Sequence, residues 1–202
     1  DYIRYMQADV TEDNAGNGFT DTDPDDAGWD FELMPFEHSS NASPPNLYGV
    51  CANGALQGYL IDPLPALFTT MKDAADYIVT AGPGSIRSAA DMVFLLDFAE
   101  LPAVTNPLYY QNGAEAIWAY RKANYGGTAT AFAEFLRDYR GNGGWPNGII
   151  PWDLAPYVTS LVRLEALFPG NNYGSDAAEI VEVIYQDSFN ANPGFFEPHQ
   201  PT

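Results

Sequence analysis

The two halves of the chain carry the same succession of parts. In the first half a Gly- and Asp-rich loop ends in Gly28-Trp29, an apolar segment follows Pro44-Pro45, a short Pro-containing turn intervenes, and KDAADYIV comes next. In the second half the loop ends in Gly144-Trp145, an apolar segment follows Pro151, PGNNYG turns the chain, and SDAAEIVEVIY comes next. Between them lies another pair of segments with the loop worn down. Such a unit reads as an antiparallel helical hairpin, which cannot bury its apolar face alone and gains a continuous core by stacking on its neighbours. When hairpins of this kind curve, one helix of each pair lies inside and the other outside.

The apolar spacing agrees. Residues recur at three and four, which is helical, over 47–61, 64–80, 88–101, 106–125, 128–140, 152–168 and 173–189, and residues 1–8 read as the last turns of another helix. Ser88 is a plausible N-cap, AGPG ends the second segment, and Gly126-Gly127 separates the fourth from the fifth. Residues 9–45 form a long polar loop closed by SSNASPPN, and GNGGWPNGIIP is a second loop. Strand signals are scarce. The sequence therefore predicts an all-α fold: a single domain over 1–189 built from antiparallel hairpins with long polar loops, and a Pro-rich arm over 190–202.

Charge narrows the partners. The 27 acids outnumber 8 bases, for a net charge of −19. Nucleic acid and anionic membrane both need clustered Lys and Arg, so neither is expected here. No stretch approaches the roughly 18 apolar residues that would span a bilayer. Cys51 stands alone, so no internal disulfide forms, and the expectation for it is a small residue packed in the core. A thiol nucleophile would need a histidine, and the two present, His38 and His199, both fall in Pro-rich loops.

The hairpin repeat resembles the α/α-toroid repeats of the terpenoid cyclase and protein prenyltransferase superfamily, in which a helix ending in Gln, here Gln7, leads into a Gly/Asp loop with a Gly-Trp step. More narrowly, GWDF, NLYGVCANGALQGYL, AADYIV, SAADMVFLLDF and IIPWDL resemble segments of secreted bacterial toroid proteins. The resemblance covers most of residues 1–189. It implies a partial toroid, because this chain has fewer helices than a complete ring, and it implies an extracellular or cell-surface location.

The stretch TDTDPDDAGWDFE admits three readings. Asp23-Pro24-Asp25-Asp26 spells D-x-D-D, the acid motif of class II terpene cyclases, but protonating an alkene needs a carboxylic acid in a dry cavity and this loop is crowded with acids. Asp21, Asp23, Asp25 and Glu32 fall at positions 1, 3, 5 and 12 of an EF-hand-type calcium loop. Asp26 stands where that loop wants Gly, and Pro24 is foreign to it. A non-canonical calcium site from Asp21, Asp23, Asp25, Asp30 and Glu32 is the functional expectation, with Asp13, Asn14 and Asn17 near enough in sequence to add ligands. The third reading is a solvated turn with Trp29 plugging the core.

Asp153, in PWDLAPY, is placed by the same resemblance at the N-terminal end of an inner helix, where toroid glycosidases and lyases carry acids. Trp145, Trp152 and Tyr157 around it would suit a glycan, but a glycosidase needs a second carboxylate and spacing marks none. The plain reading is an acid stabilised by the helix dipole. Tyr109, Tyr110, Trp118, Tyr120 and Tyr125 lie along one helix, more aromatics than one stripe can bury, and Phe195-Phe196 sits in the arm. Surplus Tyr and an aromatic arm suit an interface between copies. The expectation is a non-catalytic structural protein that self-associates into a filament or surface assembly, stabilised by calcium. The alternative is a carbohydrate-binding or carbohydrate-cleaving toroid using Asp153.

Overall fold

The structure, a computed structural model, describes residues 33–34, 37–38, 47–84, 89–138 and 154–186. Seven helices run through them: α1 Leu47–Ile61, α2 Pro65–Ala81, α3 Ala89–Ala99, α4 Pro107–Asn124, α5 Ala129–Asp138, α6 Leu154–Leu167 and α7 Tyr173–Ile184. The fold is all-α, as the periodicity predicts. Within the stretch read as loop, β1 (Leu33–Met34) and β2 (Glu37–His38) form a two-rung antiparallel pairing, Leu33 opposite His38 and Met34 opposite Glu37.

Local chemistry sets the helix limits. Pro65 and Pro107 open α2 and α4 at a position where the missing N–H costs nothing. Asp62-Pro63 ends α1, since the residue before Pro is driven out of helical geometry. Between α4 and α5 the backbone turns left-handed twice, at Gly126 (φ 96°) and Gly127 (φ 79°), where a side chain would be strained.

Helices pack first with their hairpin partners: α1 on α2, α3 on α4, α6 on α7. In the middle hairpin the rings of Phe98 and Tyr110 meet edge to face at 5.0 Å, and Gly113 approaches Leu95, so the two helices run antiparallel. The hairpins then stack. Helix α3 contacts both α1 and α6, forming one layer, while α2, α4 and α7 form the other.

Within each layer the helices are parallel. In the first, the Gly49 N–H donates to Asp91 Oδ1 at 2.7 Å, both in the opening turns of their helices, and Arg163 reaches Asp97 at 2.6 Å. In the second, Asp76 meets Tyr110 and Val79 meets Gly113, then Glu115 meets Tyr173 and Asp176 meets Trp118. Equal steps along both partners are the mark of parallel alignment. Helix α5 closes this layer by packing on α7.

Helix α3 explains the sequence AADMVFLLDFA. It sits among α1, α2, α4 and α6, and eight of its residues are buried, so it carries apolar groups all round. Two aromatic nodes fill the interior. Phe68, Phe94, Phe98 and Tyr110 form one. Trp118, Phe132 and Tyr157 form the other, with near-perpendicular ring pairs at 5.4 and 4.9 Å.

Candidate functional site

Most of the residues singled out by sequence lie outside the described residues: Asp21, Asp23, Asp25, Asp30 and Glu32 of the acid loop, Trp145, Trp152 and Asp153 of the second loop, and Phe195 and Phe196 of the arm. Among the described residues no group of three His, Cys, Asp or Glu side chains converges to hold a metal ion. Nor is any described helix long and apolar enough to cross a membrane.

Tyr157 is described, and it is fully buried between Trp118 and Phe132. A ring packed on both sides in the core has no face left for a sugar, so its place is structural. Cys51 is part-buried against the core, and burial raises its thiol pKa, which disfavours the thiolate. The aromatic surplus of α4 divides cleanly. Tyr110 and Trp118 are buried, Tyr125 packs at the core's edge, and Tyr109 and Tyr120 face outward.

A polar seam joins α4 to α7. Asp176 is buried and accepts hydrogen bonds from Trp118 Nε1 at 2.8 Å and Lys122 Nζ at 2.6 Å. One turn earlier, the Tyr173 hydroxyl donates to Glu115, and Asn171 donates to the same oxygen at 3.0 Å. Burial foremost, then that bond to the carboxylate, pushes Tyr173 up to about 12. One turn later Glu179 accepts from both the backbone N–H and the hydroxyl of Thr130, tying down the start of α5. On the other side of α4, the Tyr110 hydroxyl donates to Asp76 at 2.8 Å, and its pKa is likewise raised, first by burial and then by Asp76.

The sequence signal for this seam was the repeated D-A-A, which places Asp73 and Asp176 at like positions. What it could not show is the partner. Trp118 and Lys122 lie far away along the chain, and only stacking brings them to Asp176.

Arg121 is a second feature that sequence reasoning missed. It continues the core-facing stripe of α4, after Tyr110, Ala114, Ile117 and Trp118, and is 2% exposed. Its Nε and Nη2 have no hydrogen-bond partner among the described residues. The face of the Tyr120 ring lies 5.7 Å from its guanidinium carbon.

Large apolar side chains stand exposed on the hairpins at both ends of the array. The first hairpin carries Leu60, Ile61 and Leu64 around its turn, with Ile61 at 87% exposure. The last carries Val162 and Leu167 on α6, Val181 on α7 and Tyr185 just after it. Leu108, Tyr109 and Tyr120 are exposed on α4 between them. A shallow groove of about 250 Å³ runs between α2 and α4, lined by Ile78, Val79, Pro83, Tyr109, Asn112 and Ile117 among others. It is small for a ligand pocket and open to solvent. No family model, curated protein or solved structure matches this chain.

Proposed function

We propose that the protein is a non-catalytic, extracellular assembly module: an open array of helical hairpins, of the α/α-toroid kind, that joins further copies of itself head to tail in a filament or surface layer. The observation that carries this reading is the apolar surface left on the two terminal hairpins. Leu60, Ile61 and Leu64 mark one end, and Val162, Val181 and Tyr185 mark the other. Stacking is how the middle hairpin buries its apolar faces; among the described residues the first hairpin has a neighbour on one side only, and at the other end α5 packs beside the last hairpin, against α7.

The two patches differ in residues and in helix. A contact between unlike patches is heterologous, and if its rotation does not close, it continues as a fibre. The net charge of −19 opposes association at low ionic strength. Calcium taken up by Asp21, Asp23, Asp25, Asp30 and Glu32 would relieve that repulsion where the acids are densest.

Light scattering and negative-stain microscopy of the purified protein, with calcium and with chelator, test the reading. Polymers that lengthen with calcium are expected. Ile61→Glu and Val181→Glu should each stop growth, and a mixture of the two variants should stop at dimers, since each keeps one working face. A wild-type protein that stays monomeric in calcium at high concentration ends the proposal.

A further inference from the structure

We propose that Arg121 anchors a buried carboxylate-binding site at the end of the array where α3 and α6 begin. Three observations converge on it. The first is position. The Phe98–Tyr110 and Leu95–Gly113 contacts fix how α4 runs back along α3, and continuing that register carries Arg121 just past Ala89, the first residue of α3. Trp118, one turn before Arg121, meets Tyr157 in the first turn of α6. Arg121 therefore lies toward the N-terminal ends of two helices, the ends that carry the positive pole of the dipole.

The second is isolation. A guanidinium keeps its charge in a protein, and burying it is costly unless an anion pairs with it. At 2% exposure, water does not serve it. The buried acids of the neighbouring helices are engaged elsewhere, Asp91 of α3 by the Gly49 N–H and Asp176 of α7 by Trp118 and Lys122, and on α4 itself Glu115 holds Tyr173 and Asn171. The Tyr120 ring offers only its π face, which cannot accept two in-plane N–H bonds.

The third is the shape of what is missing. The two nitrogens without partners are Nε and Nη2. They form one edge of the guanidinium, and their N–H bonds point the same way, spaced to meet both oxygens of a carboxylate at once. A monatomic anion would satisfy one such bond well and the other poorly. A planar carboxylate satisfies both, and it also neutralises the helix poles. That carboxylate comes either from a free ligand or from an acidic side chain of the chain itself, and the chemistry of recognition is the same.

Thermal unfolding of the full chain in an acetate titration, at constant ionic strength against chloride, separates the sources. If a free carboxylate fills the site, acetate raises the wild-type midpoint saturably. Arg121→Met should abolish that rise, and Arg121→Lys, which keeps the charge but loses the fork, should weaken the apparent affinity about tenfold or more. If the chain supplies the carboxylate, acetate is inert. The acid immediately before α6 in the sequence, Asp153, is then the one to test. Asp153→Asn and Arg121→Met combined should lower the midpoint no further than the worse of the two alone. The proposal is overturned if acetate stabilises Arg121→Met as much as wild type, or if acetate is inert and the two substitutions add. Should Arg121→Met not fold, the same comparisons are made with Arg121→Lys.

Discussion

Two glycines on α1, five residues apart, should respond to the same substitution with opposite signs. Gly49 lies in the first turn of α1, where it presses on the start of α3. An ideal Cβ there would sit 2.3 Å from the Ala90 carbonyl carbon, 2.4 Å from its oxygen and 2.4 Å from the Asp91 nitrogen. These are backbone atoms inside a helix, so no side-chain rotation can make room. Ordinary contact needs about 3.5 Å, so α1 would have to retreat by roughly 1 Å.

That retreat stretches the 2.7 Å bond from the Gly49 N–H to Asp91 Oδ1 beyond hydrogen-bonding range, and Asp91 is fully buried. Overpacking costs about 1–3 kcal/mol, and loosening a charge-assisted bond at a buried carboxylate costs about 1.5–3 kcal/mol more. Gly49→Ala is therefore expected to destabilise the fold by about 3–5 kcal/mol. Gly54 is exposed in the same helix, and nothing lies within 4 Å of its Cβ position. There Ala only relieves the entropy penalty of a helical glycine, and Gly54→Ala should stabilise by about 0.5–1 kcal/mol. Urea unfolding followed by circular dichroism measures both. If Gly49→Ala unfolds at the wild-type midpoint, or if both variants shift the same way, α1 and α3 do not meet as described.

Two further outcomes follow from the seam between α4 and α7. Asp176→Asn leaves the Trp118 N–H one acceptor but turns an amide toward Lys122, whose side chain is only one-third exposed; a loss of about 2–3 kcal/mol is expected in urea unfolding, and a change under about 0.5 kcal/mol would contradict the seam. At alkaline pH the sign is set by Tyr173 and Tyr110, both raised above the ordinary tyrosine value by burial first and their carboxylate partners second. A folded-state pKa above the unfolded one means that the folded protein holds the proton longer, so the stability is complete below the unfolded value near 10 and declines as pH rises toward about 12. Tyr173→Phe should flatten that decline in urea midpoints taken between about pH 9 and 11.5, and an unchanged slope would show that the Glu115 bond does not form.

The helices were legible in the sequence because burial writes a period. Helices α1 to α7 each begin within two residues of the predicted span, and α1 to α6 also end within two residues of it, whereas α7 ends five residues short. The hairpin pairing was legible too, from the recurring short turns. The distribution of the α4 aromatics was not. Tyr109 and Tyr110 are neighbours in sequence, yet only Tyr110 faces Phe98 across the hairpin, and which of the two turns inward depends on the rotation of α4 against α3. Periodicity fixes a stripe's width but not its centre to within one residue. The two-rung ladder at Leu33–Met34 and Glu37–His38 escaped for a different reason, since two residues are too few to show alternation.

Charged residues in the interior were the hardest to read, and Arg121 shows why. A base one turn after Trp118 on an otherwise apolar stripe reads as a long side chain whose head escapes to solvent, because that is how most such residues behave. Escape requires that the helix end near a surface on that side. In this fold Arg121 reaches none: Trp118, packed on Phe132 of α5 and Tyr157 of α6, closes the interior one turn away, and Arg121 lies buried on the same face of α4 as Trp118. Asp176 was equally apolar in its surroundings by sequence, among Ala177, Ala178 and Ile180, yet it is buried with two donors aimed at it. The same stacking that provides donors for the acid leaves the base without an acceptor among the described residues, so the order of charges along a helix cannot distinguish the two. Only the neighbouring helix does, and that is why the interior ion pairs of a stacked-hairpin protein have to be read from structure while its helices do not.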